Sequence, residues 1–382
     1  MRRVLMKNLE VLKINPDTDV PLAVQLKQQL VWLIASRQIE MGERLPPVRE
    51  LATHLGINLH TVRAAYRKIE EDGLVATRQG LGTVVLGFDH FQIAQQAANV
   101  RTYTIGLIVP DINNPFYPAL ARGVEDVARE NHVLVFICNT DEDPATGQAY
   151  LDLLIAKQVD GLIVAPYGLG FRSQPGVEGA HAGRAPIPIV YVDRPGETGH
   201  TVLLDSEGAG RAATAHLIEH RHRRIGLITC SLETPTLQQC YLGYERALNS
   251  AGVAVDPSII IVAPAFTVAS GYEAAKQLLE KPAPPAAIFA VGDTLAIGAM
   301  RAIKEHGLRV PEDIALIGYN DIEMAAVVEP PLTTVAAPTH ELGATAMQML
   351  QRLVAGEMVE ERQITLPTEL VVRRTCGCGG DH

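Results

Sequence analysis

From residue 104 onward the chain alternates between short apolar runs and longer amphipathic stretches, and this alternation restricts the possible folds more than any other feature. The apolar runs have the length of strands and lie at 105–109, 133–137, 161–164, 187–192, 225–229, 288–291 and 314–319. Helical stretches separate most of them, at 118–130, 149–157, 210–219, 243–251, 271–279 and 295–306. Apolar strands that alternate with helices form parallel sheets with helices on both faces. Because the run is about twice the length of one such unit, we expect two α/β lobes with a cleft between them.

The first 85 residues are organised differently, with helices first and β-rich stretches last. A periodic apolar run follows Pro21, a short helix is predicted at 48–55, and a further helix begins after Asn58, a good N-cap. Two β-rich stretches then flank residues 79–82, which predicts a hairpin. A short helix, a tight turn at Gly56, a capped helix and a β-wing are the parts of a winged helix-turn-helix. In that motif the capped helix enters the major groove of DNA.

Charge is distributed unevenly along the chain, whose formal net charge is −10. Residues 1–90 carry twelve basic and ten acidic side chains, so the remaining residues account for a net charge of −12. This distribution excludes a uniformly basic protein that coats nucleic acid. It indicates that only the amino-terminal part approaches a polyanion.

Cysteine usage and the start of the chain indicate the cellular compartment. Five cysteines in so long a chain do not make a disulfide framework, and an odd number favours a reducing environment. Lys7, Glu10 and Lys13 interrupt any apolar run near the start, which argues against a signal peptide. No stretch approaches the eighteen apolar residues of a membrane span. We therefore expect a soluble, cytoplasmic protein without a membrane partner.

The amino-terminal segment resembles the DNA-binding domain of the GntR family of transcription regulators. The resemblance covers about residues 17–86 and rests on VPLAVQLKQQL followed by RLPPVRELATHLGINLHTVRAAYRKIEEDGLVATRQGLGTVV. It implies an α+β winged helix-turn-helix domain at 1–87 that binds double-stranded operator DNA. The implied DNA contacts are Arg49, Asn58, His60, Thr61, Arg63, Gln79 and Gly80.

Several of these residues also have structural interpretations. Thr61 is a common residue at the start of a helix, and Gly80 is compatible with hairpin geometry alone. Leu59 departs from family members that place an arginine there, since it cannot donate a hydrogen bond to guanine. For Arg67, an ion pair with Glu70 or Glu71 on the solvated face is favoured over a DNA contact.

The remainder of the chain resembles the effector domain of the LacI family, which has the fold of periplasmic sugar-binding proteins. The resemblance covers about residues 102–375 and rests on IGLIVPDINNPFY, VDGLIVAP, HLIEHRHRRIGLI, FAVGDTLAIGAM and VPEDIALIGYND, among other segments. It implies an α/β two-lobed domain with parallel sheets and helices on both faces. The expected boundaries are a linker at 88–101, lobe 1 at about 102–204 and 337–364, lobe 2 at about 205–336 and 365–375, and a tail at 376–382.

The same resemblance implies an effector site at the carboxyl ends of the strands, where open α/β sheets bind ligands. Aromatic residues in such sites stack against the ligand, and polar residues bind its hydroxyl groups. The implied ligand-binding residues are Asn114, Phe116, Tyr117, Asp193, Arg194, Phe266 and Asn320. Ordinary core packing is the alternative for the first two aromatics, and a structural ion pair is the alternative for Asp193 with Arg194.

Four positions depart from the ribose-binding pattern, and the departures bear on the ligand. Ala165, Cys240, Gly292 and Ala336 stand where ribose-type binders use polar side chains. An unsatisfied buried hydroxyl costs about 1–3 kcal/mol, so a bare pentose in the usual pose is disfavoured. Either neighbouring polar residues substitute, or the effector is a less polar sugar, glycoside or nucleoside. The candidate substitutes are Thr236, Gln238 and Asp293.

Two groups of potential metal ligands were weighed against a structural interpretation. His216, His220 and His222 follow the spacing H-x3-H-x-H, but residues 222–225 are the helix-to-strand turn that the LacI resemblance already explains, and no carboxylate has ligand spacing. Cys376 and Cys378 lie in a glycine-rich tail. There is no nucleophile elbow, P-loop or dinucleotide fingerprint. We therefore expect no metal, no cofactor and no enzymatic activity.

Taken together, these features favour a ligand-responsive transcriptional repressor that acts as a homodimer on a palindromic operator. A small sugar-like effector would close the cleft and release the DNA. A solute-binding protein for transport is the first alternative, and a GntR-headed enzyme such as an aminotransferase is the second. The sequence leaves the effector, the operator and the direction of the response open.

Overall fold

The computed structural model describes residues 12, 14, 21–35, 38–78, 82–86, 102–165, 187–196 and 199–378. The predicted linker at 88–101 lies outside these residues. Within the described ranges, no helix is both long enough and apolar enough to cross a membrane. The chain separates into two compact units. The first comprises Met1–Ile108, Val133–Leu162 and Gly170–Ile189, and the second comprises Val109–His132, Ile163–Leu169 and Val190–His382.

The described part of the first unit contains three helices followed by a hairpin. These elements are α1 (Leu22–Ala35), α2 (Val48–Leu55), α3 (Leu59–Glu71), β1 (Val75–Arg78) and β2 (Gly82–Val85). The strands pair antiparallel, from Val75 opposite Val85 to Arg78 opposite Gly82. The order of elements is that of the predicted winged helix-turn-helix.

Local chemistry determines where α2 and α3 end and begin. Gly56 ends α2 in the left-handed conformation with a φ of 63°, which glycine adopts at the least steric cost. The Asn58 side chain then accepts a hydrogen bond of 2.8 Å from the backbone N–H of His60 and caps α3. Val62 and Ile69 on the inner face of α3 are completely buried, and α1 packs against this helix.

In the described part of the remaining chain, two six-stranded sheets form the core. Their strand orders are β13-β7-β6-β5-β3-β4 and β14-β12-β11-β10-β8-β9. Neighbours such as β6 and β7, β8 and β10, or β10 and β11 run parallel, whereas β14 runs antiparallel to β12. This confirms the predicted parallel sheets. The strands are β3 (Thr104–Val109), β4 (Leu134–Asn139), β5 (Gly161–Val164), β6 (Ile189–Val192), β7 (His200–Leu204), β8 (Ile225–Thr229), β9 (Ile260–Val262), β10 (Ala287–Ala290), β11 (Ala315–Asn320), β12 (Thr333–Ala336), β13 (Gln363–Leu366) and β14 (Glu369–Val371).

Helices alternate with most of these strands and often begin earlier than the sequence pattern predicted. The Asp143 and Asp205 side chains cap two of them by accepting backbone N–H groups, which places the helix starts at Pro144 and Ser206. The helices are α4 (Phe116–Glu130), α5 (Pro144–Ala156), α6 (Ser206–Glu219), α7 (Pro235–Ser250), α8 (Val268–Leu279), α9 (Asp293–Glu305), α10 (Glu323–Val327) and α11 (Thr339–Val354).

In the second unit, α6 and α7 cross with their backbones in direct contact. A Cβ atom on Gly210 of α6 would lie 2.0 Å from the carbonyl oxygen of Cys240, and one on Gly243 of α7 would lie 2.0 Å from that of Glu207. Real Cβ atoms do not approach a carbonyl oxygen so closely, so both positions need glycine. The crossings of α4 with α11 and of α8 with α9 have the same design.

Candidate functional site

The described part of the helix-turn-helix presents a polar face around the start of α3. Val62, Ala65, Tyr66 and Ile69 are buried at helical spacing, so the intervening residues lie on the outer side of the helix. Of the predicted DNA contacts, Arg49 on α2 and Asn58, His60 and Arg63 at the start of α3 are exposed, and Thr61 is half-buried.

Hydrogen bonds and ion pairs hold this outer face in position. The Tyr66 hydroxyl donates a hydrogen bond of 2.9 Å to the Pro46 carbonyl, which ties α3 to the segment before α2. Arg67 lies 3.7 Å from a Glu71 carboxylate oxygen, which is the ion pair expected on the solvated face. The helix N-terminus itself offers backbone N–H groups and a positive dipole end to phosphates.

The predicted wing is described except at its tip. Strands β1 and β2 lie on either side of it, and Gly82 begins β2 with a φ of 84°, which a side chain would strain. The predicted contact residues Gln79 and Gly80 lie outside the described residues.

A cleft in the second unit lies at the carboxyl ends of the strands. Its cavity volume is about 70 Å³, below the roughly 300–1,000 Å³ of typical ligand sites, so a ligand of that size requires the cleft to open. Six of the seven predicted ligand-binding residues line it. The lining residues are Asn114, Phe116, Tyr117, Ala165, Val192, Asp193, Leu204, Thr234, Thr236, Leu237, Phe266, Val291, Tyr319 and Asn320.

The aromatic and polar groups of the cleft come from chain segments that follow different strands. Phe116 and Tyr117 begin α4, and their rings pack edge to face with centroids 5.1 Å apart. The Asn114 side chain accepts a hydrogen bond of 3.1 Å from the Phe116 N–H, which orders the first turn of that helix. Asp193 follows β6, and Asn320 ends β11, both with positive φ angles of 53° and 104°. The backbone at these two residues is strained, as is common at binding sites.

Asp193 is the strongest electrostatic feature of the cleft. Burial raises the pKa of its carboxyl group to about 6, although hydrogen bonds from the Leu204 backbone and the Thr236 side chain act in the opposite direction. The Thr236 hydroxyl donates a hydrogen bond of 2.7 Å to the Asp193 backbone carbonyl and links α7 to the end of β6. A carboxyl group in such a position is a strong acceptor for a ligand hydroxyl or amine.

Arg194 lies in a different environment from Asp193. It is not among the residues that line the cleft, and its guanidinium carbon lies 5.6 Å from the centre of the Tyr191 ring. A cation over an aromatic face is a stabilising arrangement in its own right. Its predicted role in ligand binding therefore rests on the resemblance alone.

The cleft also contains residues that sequence reasoning missed. Thr234 and Leu237 lie at the start of α7, and Tyr319 lies next to the end of β11. All three follow or end strands, so the general rule for ligand sites in open sheets could have found them. Asp293, weighed as a substitute polar ligand, is buried and accepts hydrogen bonds from Thr334 and the Ile322 backbone.

Comparison with known proteins identifies both parts of the chain. A family model for bacterial regulatory proteins of the gntR family matches residues 22–85, and one for a periplasmic binding protein-like domain matches residues 214–376. The HTH-type transcriptional regulator DegA of Bacillus subtilis is 34% identical over 332 residues, which are 86% of this chain and 97% of DegA.

Solved structures agree with this relationship. A LacI-family transcriptional regulator from Enterococcus faecium with bound ribose matches with a TM-score of 0.63 and 29% identity, over 71% of this chain and 98% of that one. The transcription regulator CcpA of Lactococcus lactis matches with a TM-score of 0.66 and 28% identity, over 72% of this chain and 99% of that one. The chain belongs to the LacI family of transcriptional regulators.

This LacI-family regulator carries a gntR-family DNA-binding segment at its amino-terminal end. The exposed face of α3 is the part of that segment suited to DNA, and the cleft in the second unit is the part of the molecule suited to a small ligand. The protein is therefore a DNA-binding transcriptional regulator with a ligand-binding domain.

Proposed function

We propose that this LacI-family regulator is a homodimeric repressor, which a small sugar-like or nucleoside-like effector releases from a palindromic operator. The observation that carries the proposal is the composition of the cleft. Four aromatic side chains, Phe116, Tyr117, Phe266 and Tyr319, line it together with polar groups such as Asp193 and Asn320. A sugar ring presents C–H groups to aromatic faces and hydroxyls to polar side chains, so both kinds of residue are needed.

The apolar part of the lining argues for an effector larger and less polar than free ribose. Ala165 lines the cleft where ribose-type binders place an amide, and Val192, Leu204, Leu237 and Val291 add further apolar surface. A base, a methyl group or an aglycone would cover this surface, whereas a bare pentose would leave hydroxyls without partners. We therefore favour a modified sugar, a glycoside or a nucleoside, bound by the residues predicted from the sequence, including Arg194.

The proposed DNA contacts are those of the gntR-family pattern. Arg49 would bind phosphate, while Asn58, His60, Thr61 and Arg63 would present backbone and side-chain groups to the major groove. Gln79 and Gly80 at the wing tip would contact the DNA backbone. This assignment has no catalytic step, so we propose that the protein is not an enzyme. A regulator of chromosomal transcription acts in the cytoplasm.

The exposed edge of strand β4 supports a second copy of the chain as the protein partner. This strand lies at the end of its sheet, and in the described part of the chain no strand pairs with its outer edge. Its side chains at Leu134, Phe136 and Ile137 are 69%, 46% and 50% exposed. An exposed apolar edge strand invites strand pairing or aggregation unless a partner covers it. In a dimer with a two-fold axis, each copy would cover the β4 edge of the other. The same symmetry would match that of a palindromic operator.

Operator binding in the presence of candidate effectors tests the proposal. The operator would be selected from random DNA with the full-length protein, and affinity would be followed by fluorescence anisotropy. We expect one ligand among glycosides, nucleosides and modified sugars to weaken DNA binding at least tenfold, about 1.4 kcal/mol of coupling. Asn114→Ala should remove the response, whereas Asn113→Ala, at an exposed neighbour outside the cleft, should retain it. A full response in Asn114→Ala, or micromolar binding of free ribose, would contradict the proposed site or ligand.

A further inference from the structure

Four histidine and cysteine side chains from distant parts of the sequence meet in the second unit. His216 and His220 lie near the end of α6, and Cys376 and Cys378 lie beyond β14. The Cys378 sulfur is 2.9 Å from His216 Nε2, 3.0 Å from His220 Nε2 and 2.8 Å from the Cys376 sulfur. We name these four residues the His/Cys cluster.

The backbone places the four ligand atoms on the same side by simple geometry. His216 and His220 are four residues apart and share one face of the helix, with ring centres 4.6 Å apart. Gly377 separates the two cysteines and adopts a φ of 79°, a left-handed conformation that suits glycine. The turn at Gly377 brings Cys376 and Cys378 together, so both sulfurs lie within 4.8 Å of a ring nitrogen of His216.

We propose that the His/Cys cluster binds a zinc ion, or a cation of similar softness, through both imidazole Nε2 atoms and both thiolates. Two cysteines and two histidines are a ligand set that zinc prefers in tetrahedral sites. The ligand atoms of His216, Cys376 and Cys378 already lie within 4.8 Å of one another. Bonds of about 2.0–2.3 Å to a tetrahedral zinc would separate its ligands by about 3.4–3.8 Å. The three contacts of the Cys378 sulfur therefore need to open by less than about 1 Å. His220, which does not belong to the group within 4.8 Å, also needs to move closer to His216 and Cys376.

The burial of the four residues indicates which ligands are fixed and which can adjust. Cys376 is completely buried, whereas His220 is exposed and Cys378 is half-buried. The exposed histidine provides a route for the ion from solvent, and its side chain can move to complete the site. Four protein ligands leave no open coordination position, so the ion would be structural and would not activate water.

A bound ion would join the end of α6 to the sheet. Thr375, next to Cys376, accepts a hydrogen bond of 2.8 Å from the Thr333 N–H and donates one of 2.7 Å to the Leu316 carbonyl. These contacts tie the cysteine segment to β11 and β12. Because α6 carries the two histidines, the ion would link this helix to strands that belong to the same unit. The sequence pattern predicted no metal, because the histidines fit a family turn and the cysteines a tail; the fold joins the two groups, although 158 residues separate His220 from Cys378.

Metal analysis of the reduced, full-length protein tests the proposal. We expect one zinc per chain after dialysis against zinc and removal of excess ion. Cobalt substitution should give sulfur-to-metal charge transfer in the near ultraviolet and the intense visible bands of a tetrahedral site. At a zinc concentration about a hundred times the dissociation constant, the midpoint of thermal unfolding should rise by about 5–10 °C, and a chelator should reverse the change.

Matched variants separate the cluster from nonspecific binding. Cys378→Ser and His220→Ala should each lose the tetrahedral cobalt spectrum and the thermal shift, and because both side chains are accessible the variants should remain folded. Cys138→Ser and His222→Ala remove a cysteine and a histidine outside the cluster and should leave both signals unchanged. Absence of the cobalt spectrum in the native protein would overturn the proposal. So would equal losses in the controls, or a Cys376–Cys378 disulfide that persists after reduction.

Discussion

A Cβ atom on Gly243 would lie 2.0 Å from the backbone carbonyl oxygen of Glu207, so α7 can approach α6 only with glycine at this position. Gly243→Ala should therefore force the two helices apart and lower the free energy of unfolding by about 1–3 kcal/mol. Urea denaturation followed by circular dichroism measures this loss. Asn249→Ala, at an exposed position on the same helix, should change stability by less than about 0.5 kcal/mol. Equal stabilities for both variants would show that the helices can separate freely.

DNA binding should depend steeply on salt. If each amino-terminal domain neutralises about three or four phosphates, a dimer releases enough counterions for a log–log slope of about −5 to −7. Arg49→Ala should reduce this slope and weaken binding to all sequences, whereas Arg63→Ala should also reduce discrimination between operator and random DNA. Arg67→Ala is the matched control, because Arg67 is exposed and pairs with Glu71. Anisotropy titrations between about 50 and 200 mM salt measure the slope, the affinity for the operator and the affinity for random DNA of each protein. A slope near zero would exclude the proposed interface.

The oligomeric state should depend on strand β4. Phe136→Glu places a charge on the exposed apolar edge and should convert a dimer into a monomer that binds the operator much more weakly. Met358→Glu introduces the same charge at a methionine that is 84% exposed and should leave the dimer intact. Sedimentation velocity at micromolar concentration measures both. The isolated segment 1–90 should bind DNA only weakly, and a Phe136→Glu protein that remained dimeric would place the interface elsewhere.

The pH dependence of the free energy of unfolding should reflect the raised pKa of Asp193. Its pKa in the folded state is about 6, above the value of 3.8 for an ordinary aspartate, so the unfolded chain loses its proton first as the pH rises. The free energy of unfolding of the wild-type protein should therefore fall by about 1–3 kcal/mol between about pH 4 and pH 6, relative to that of Asp193→Asn. Above about pH 6 this difference between the two proteins should stay constant. Urea denaturation at pH 4.5, 6 and 7.5 measures the gap.

Asp143 provides a control of opposite sign for this pH dependence. Hydrogen bonds from the Thr146 hydroxyl and from the Thr146 and Ala145 backbone lower the pKa of its carboxyl group, so its contribution is present at neutral pH and is lost on acidification. Asp143→Asn should therefore destabilise the protein near pH 7 and less so in acid. Asp193→Asn should also weaken effector binding, which separates a binding role from a purely structural one. A gap for Asp193→Asn that did not change with pH would contradict the assigned pKa.

Features that depend on local sequence were predicted well, and those that depend on distant contacts were not. The capped start of α3 at Asn58 and the parallel strands followed from residue types at known spacing. Phe116 and Asn320 line the cleft, where the LacI resemblance implied a ligand site, and their role in binding stays a prediction. Short strands such as β9 and β12 were missed, since three or four residues carry too weak a pattern. The His/Cys cluster could not be predicted, because only the fold brings His216 near Cys376.

The crossing of α6 and α7 connects the effector cleft to the His/Cys cluster. α7 begins beside Thr236 in the effector cleft, and α6, whose backbone contacts α7 at Gly210, carries His216 in its last turn. Because the close approaches at Gly210 and Gly243 are to backbone atoms, a side-chain rotation cannot absorb a shift there, and a movement of one helix would displace the other. By reciprocity, an ion that favours one position of α6 changes effector affinity by the same factor as the effector changes ion affinity.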